Sequence, residues 1–392
     1  MDAITLIVFL SVVLGRFIIP LFILRYPLPA TIAALVLDAA DQTIFQLFTD
    51  SDLAGYQSYD KALDVYYLAL AYISTMRNWT GVYAYRTGRF LWYYRLLGST
   101  MFELIGWRPL LLIFPNTFEY FFIYIEAFRT RWRMHRLTRK HILVAAAFIW
   151  IVIKLPQEAW IHLFKLDVTD AFKEHILRTP LDAGWGEAFG NNLWIFPVLV
   201  AIAVGGAWLV RSISRGLPPA DWQTTFDANR NHDEFAHVQL RPLAERHWRE
   251  GLIEKAVLVA LMCIIFSQML PNVDVGLLKM SAGVTFVVIA NAAISHWLAR
   301  RGTHWRSSAT EFLALGVINL AAGLVYMWIT PAGDDHISRF AVLFFTALLT
   351  LILTLYDRYR PVLEARHIAE ARTAVSAARN SPSMDVPPAS GE

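Results

Sequence analysis

The sequence predicts an all-α, polytopic transmembrane helix bundle of about eleven spans, with the N-terminus outside and the C-terminus cytoplasmic. Three observations carry this: an apolar composition, a series of span-length apolar stretches, and basic loops that fall on one side. Of 392 residues, 56% are hydrophobic and 17% charged, with a mean hydropathy of +0.42. Soluble chains are nearer about a quarter charged, so the excess apolar surface points to lipid as its solvent.

Crossing about 30 Å of hydrocarbon takes roughly 20 apolar residues in a helix. Candidate spans lie near 3–25, 28–48, 60–78, 89–107, 109–128, 142–164, 192–213, 252–270, 276–298, 309–329 and 339–357. Segments 28–48 and 89–107 are more polar and are open to a re-entrant reading. With the N-terminus outside, the basic loops around Arg25, 77–89, 129–141, 211–251, 299–308 and 358–392 all fall inside, as cytoplasmic loops should. The outside loops hold only Arg108, Lys165, Lys173 and Arg178.

This ordering divides the chain into a polar-layer half (1–165, the first six spans), an extracytoplasmic loop (166–191) and an apolar half (192–360). The apolar half contains the inside loop 211–251, which reads as helical where it runs into the next span. Residues 361–392 form a polar tail whose end, SPSMDVPPASGE, is too polar and proline-rich to pack. The first residues lack a positive n-region and an A-x-A site, and read as a retained helix. One cysteine, Cys263, excludes an intrachain disulfide and a cysteine-based zinc or iron–sulfur site. The location expected is a bacterial inner membrane.

Ionisable residues inside spans cost about 2.5–3.5 kcal/mol each on insertion scales and need a partner or a wet cavity. The first six spans are rich in them. Counting about 1.5 Å of rise per residue from the inside boundary puts Arg16 and Glu119 about 14 Å deep and Asp38 about 18 Å. Asp41, Asp64, Glu103 and Lys154 fall at about 20–22 Å on the same count. Asp38 and Asp41 are three apart, and Asp60 and Asp64 four apart, so each pair shares a helix face. Like charges so placed repel unless a proton or cation lies between them. Five carboxylates against Arg16 and Lys154 form an acid excess, which favours protonatable or cation-binding groups. Segments five and six each carry a proline beside an amide residue and a glutamate: Pro115, Asn116 and Glu119, then Pro156, Gln157 and Glu158. Two helix breaks at one depth would resemble the discontinuous helices of transporter sites. His162, outside Glu158, is placed as a proton relay or an interfacial residue. Arg95 is expected to snorkel towards the inside face, and Trp79, Trp107, Trp160, Trp194, Trp297 and Trp328 to act as interface anchors.

Around these aspartates the chain resembles the CDP-alcohol phosphatidyltransferases, over about 30 residues. Asp38 and Asp41 match that family's first aspartate pair, Gly55 its glycine, and Asp60 and Asp64 the spacing of its second pair. Gln42, Phe45 and Gln46 stand where the family has Gly, Ala and Arg. The resemblance implies that the four aspartates hold divalent metal and that a phospho-alcohol group is transferred to or from a lipid-linked substrate.

Three functions follow. The first is a proton- or cation-coupled transporter whose site is the carboxylate layer: Asp38, Asp41, Asp64, Glu103, Glu119, Arg16, Lys154, Asn116 and Glu158. The second is the metal-dependent transferase, and the third an accessory subunit whose charges are interhelical pairs. No cofactor is implied outside the transferase reading. The expected partners are the bilayer and a small-molecule or lipid substrate, and no nucleic-acid motif occurs.

Overall fold

The computed structural model describes residues 3–48, 56–160, 171–180, 183–231, 248–269, 316–317, 319–321 and 347–364. These are helical almost throughout, with no strand among them. α1 (Ala3–Ile18) passes into a 3-10 stretch (Ile19–Leu24) next to Pro20, then α2 (Pro27–Phe48), α3 (Tyr56–Asn78) and α4 (Val82–Ile105) follow. Segments 28–48 and 89–107 therefore lie in continuous helices of 22 and 24 residues. At 1.5 Å per residue these are about 33 and 36 Å long. Gly106, at φ 71°, closes α4 in the left-handed conformation that glycine adopts without a Cβ penalty. Pro109 then opens a short α5 (Pro109–Ile113), and α6 (Thr117–Arg129) follows. Thr138 caps α7 (Arg139–Phe148) by accepting from the His141 N–H.

α7 continues without interruption through a π-helical stretch (Ile149–Lys154) into α8 (Leu155–Glu158). The break expected at Pro156 does not form. A proline is tolerated there because the wider π turn directly before it relaxes the clash with the carbonyl one turn back. Downstream lie a π turn (Phe172–Leu177), α9 (Trp185–Gly190), α10 (Ile195–Arg215), α11 (Trp248–Met269) and a helix over 347–364, α12. The expected spans at 276–298 and most of 309–329 lie outside the described residues.

α3 is the axis of the bundle. Nearly every position from Ala62 to Met76 is buried, and it packs on α1, α2, α4 and α11. Its tyrosines, with residues of α4 and α6, make an aromatic core of Tyr66, Tyr72, Trp79, Tyr85, Trp92, Phe118, Phe121 and Phe122. Trp79 is thus a core residue rather than an interface anchor. At 1% exposure its ring stacks on Phe122, and its Nε1 donates to Glu126 at 2.6 Å. Trp107 and Trp194, by contrast, are exposed.

Three helical stretches among the described residues are long and apolar enough to cross a membrane: Leu6–Leu24, Pro109–Arg129 and Arg139–Glu158. A shorter apolar stretch, Ile195–Leu209, is exposed from Phe196 onward. Side chains turned outward there are large and apolar, among them Phe196, Ile202, Val204 and Trp208, as a lipid-facing surface requires.

Residues 216–231 form an extended strap with only a 3-10 turn at Ala228–Asn231, and helix is present from Trp248 in the run into α11, while the stretch 232–247 lies outside the described residues. Proline at 218 and 219 excludes a helix at its start. The strap crosses the end of the bundle where α3 and α6 finish. Asp221 and Thr225 N–H groups donate to the carbonyls of Arg131 and Thr130, and Ala228 N–H to that of Arg25.

Candidate functional site

Charges from separate helices meet in two neighbouring clusters. Arg16, in the last turn of α1, is buried, and its guanidinium donates to Asp38 and Asp41 of α2 and to Asp64 of α3. The Asp41 contact is 2.5 Å. The three-residue spacing of Asp38 and Asp41 places both carboxylates on the α2 face turned to α1. One guanidinium therefore serves three carboxylates.

The second cluster forms where segment five is interrupted. Phe114 (φ −111°, ψ 63°) and Asn116 (φ −75°, ψ 64°) leave the helical region, so α5 and α6 are separate helices either side of Pro115. The break exposes backbone groups that need partners. Tyr94 Oη donates to the Ile113 carbonyl at 2.9 Å, and Arg95 Nη1 to the Phe114 carbonyl at 3.1 Å. On the α6 side, the Asn116 N–H donates to Glu158 Oε1 at 3.3 Å. Glu119 lies in the first turn of α6, where a carboxylate is favoured by the helix dipole. It accepts from Asn116 Nδ2 at 3.0 Å and faces Lys154 Nζ at 3.6 Å. Lys154 Nζ also sits 4.0 Å above the Tyr120 ring.

A cavity of about 360 Å³ lies between the clusters. Its charged lining is Asp38, Asp64, Arg95, Glu103, Glu119 and Lys154, and its aromatic lining includes Tyr67, Trp92 and Tyr120. Asp38 and Asp64 keep 32% and 41% of their side-chain surface open, although the Arg16 they share is almost fully enclosed. Two of the residues that line this cavity each carry a fully buried polar atom without a hydrogen-bond partner: Asn116 Oδ1, an acceptor, and Trp92 Nε1, a donor.

Of the residues singled out in the sequence, Asp38, Asp64, Glu103, Glu119, Asn116 and Lys154 line this one cavity. Arg16 and Glu158 stand behind it, bonded to Asp38 and Asp64 of the lining and to Asn116 at the break, and Asp41 pairs with Arg16. His162 lies outside the described residues, as does the side chain of Asp60. Arg95 does not snorkel: its guanidinium serves the broken backbone beside the cavity, because the freed Phe114 carbonyl is a closer acceptor than the bundle end.

No known family model matches the chain, and no curated protein or solved structure matches it either. The site stands on its geometry.

Two features escaped the sequence reading. Trp92, Arg95, Leu96, Ser99, Phe102 and Glu103 all face the cavity, which is helical spacing on one stripe of α4. The pattern is readable, since Arg95, Ser99 and Glu103 all fall on this stripe while most other positions of 90–105 are apolar or aromatic. The second feature is a network at Glu254 of α11, which takes hydrogen bonds from Tyr72 and Tyr93, pairs with Arg360 of α12 and lies 3.7 Å from Arg89. Nearby, Lys255 pairs with Asp357 at 2.6 Å. These partners are up to 182 positions apart in the chain, and no local pattern announces them.

Proposed function

We propose that the protein is a multi-pass transporter of about eleven spans in a bacterial inner membrane, coupled to protons or a cation through its carboxylate layer. The observation that carries this is the charged, partly open cavity beside a broken helix. Discontinuous helices with charged lining near mid-span are how bilayer-embedded carriers build binding sites without exposing irregular backbone to lipid. In this reading Asp38, Asp64 and Glu119 take up the proton or cation. Arg16 and Lys154 hold these carboxylates while the coupling charge is absent. Movement of α6 against α4 changes access.

The transferase reading draws less support. It needs divalent metal among four aspartates, and the three with described side chains converge on the Arg16 guanidinium. The accessory-subunit reading accounts for the ion pairs but not for a cavity between them.

The test is uptake into proteoliposomes of a panel of radiolabelled small solutes under an imposed proton or sodium gradient. Gradient-dependent accumulation is expected in the wild type, with at least a tenfold loss in Asp64→Asn and Glu119→Gln. Accumulation that ignores both substitutions, or that persists after the gradients are collapsed, would rule out this mechanism.

A further inference from the structure

We infer that the cavity takes a small organic ammonium that also carries a neutral oxygen acceptor, the chemistry of an amino alcohol. The inference rests on the transporter reading and adds the substrate class to it. Charge decides the sign. Among the described lining residues, Asp38, Asp64, Glu103 and Glu119 face Arg95 and Lys154, four acids against two bases. Both bases already have acceptors, Lys154 at Glu119 and Arg95 at the Phe114 carbonyl. The acids of the α2–α3 wall share Arg16 with Asp41. An anion entering this space meets net negative charge at short range in a low dielectric.

Size separates an organic cation from a bare ion. A metal ion is held by a close cage of oxygens at about 2.0–2.6 Å. The cavity of about 360 Å³ is instead at the lower end of the small-ligand range of about 300–1,000 Å³. Its aromatic lining suits an ammonium, since ring faces attract cations. Lys154 above Tyr120 is an ammonium already seated in this way.

The two orphan atoms specify the rest. Asn116 Oδ1 is a buried acceptor and calls for a hydrogen-bond donor, which an ammonium supplies. Trp92 is 1% exposed, and its Nε1 is a buried donor that calls for an oxygen. A molecule with an ammonium at one end and a hydroxyl or ether oxygen near it meets both, whereas an alkali or alkaline-earth ion meets neither donor nor shape.

The experiment uses the purified full chain in detergent without any gradient and reads thermal unfolding against four probes: phenylethanolamine, phenethylamine, 2-phenylethanol and 3-phenylpropionate, with sodium and magnesium chloride as further arms. Phenylethanolamine should raise the midpoint most, with half-effect in the millimolar range or below. Asp64→Asn should weaken it at least tenfold, and Asp64→Glu should restore it. Trp92→Phe removes the N–H together with the five-membered ring of the indole and leaves a smaller aromatic ring in its place. It should weaken phenylethanolamine several-fold and leave phenethylamine unchanged, which a merely unstable variant would not do. Stabilisation by the anion or the neutral alcohol equal to that by the amines, or by the inorganic salts alone, overturns the inference. Amine binding without gradient-driven uptake removes the transport reading and leaves this one. Uptake confined to anionic solutes does the reverse.

Discussion

Gly98 decides how closely α4 approaches the broken helix. A Cβ built there would stand 2.1 Å from Phe114 Cβ and 2.5 Å from its Cγ. The obstacle on Phe114 is the root of a side chain fixed by the break itself, so it cannot swing away. Helix propensity alone would favour Gly98→Ala by about 0.5–1 kcal/mol. Overpacking costs about 1–3 kcal/mol, so the clash should win. A fall in the melting midpoint is expected, together with loss of gradient-driven uptake, because Arg95 and Tyr94 would lose the carbonyls they cap. An unchanged midpoint would show that the two helices have room to separate. The same scale shows what the sequence tells. The i, i+3 placement of Asp38 and Asp41 puts them on one face whatever the tertiary fold, and they do share one partner. That this partner is Arg16, and that Asp64 joins it, depends on how α1, α2 and α3 pack, which spacing within a helix does not contain.

The two prolines of segments five and six make the parallel point for elements. Both are followed by an amide and a glutamate, yet only Pro115 separates two helices. Pro156 sits just beyond a π stretch that absorbs it. A proline is a local signal that backbone hydrogen bonding must change; whether the helix breaks or widens is settled by what packs beside it. At Pro115, Tyr94, Arg95 and Glu158 serve the freed groups. The strap over 216–231 is an element of the opposite kind, held by polar contacts rather than by apolar burial. Its anchor is Asp221, whose carboxylate accepts from the Arg133 N–H at 2.8 Å and from Arg136 at 2.5 Å. These contacts, the Arg133 N–H foremost, hold the carboxyl below its ordinary value of 3.8. A lowered folded value means that the stabilisation is complete above 3.8 and is lost as pH falls through the folded value beneath it. The docked strap should therefore be insensitive to pH from neutrality down to about 4 and should release only below that. Asp221→Asn should mimic the release at pH 7, seen as faster hydrogen exchange at the Asp221 and Thr225 amides with α3 and α4 unaffected. Exchange equal to wild type at those amides would mean that the backbone bonds to Arg131 and Thr130 hold the strap without its carboxylate.

For the whole molecule, composition and loop charge tell more than any single motif. A helical build among the described residues is what a solvent unable to satisfy backbone groups demands of a spanning chain, and helices occupy most of the described parts of the apolar stretches, including the more polar ones at 28–48 and 89–105. Less legible is which helix occupies the middle. α3 carries Asp64, Ser74, Thr75 and Asn78 and looks like a peripheral segment, yet it is buried on almost every face. All but the Ser74 hydroxyl of these find partners inside, as does Tyr66: Tyr66 at the Phe17 carbonyl, Thr75 at the Tyr72 carbonyl, Asn78 at the Leu24 carbonyl and Asp64 at Arg16. A central polar helix suits the transport path proposed above, and that proposal depends on the chain crossing the membrane in the sense the basic loops dictate. The orientation is testable at a single crossing. His135 and Asn191 are both exposed, and Arg139–Glu158, long and apolar enough to span, lies between them. In a Cys263→Ala background, His135→Cys and Asn191→Cys are each treated with a membrane-impermeant maleimide on intact cells. Asn191→Cys should label at once and His135→Cys only after permeabilisation, since 129–141 is rich in arginine and 183–192 contains none. Labelling of both from outside would make the crossings between them even in number and rule out Arg139–Glu158 as their single crossing. The reverse pattern would keep the span but invert the direction in which the cavity loads.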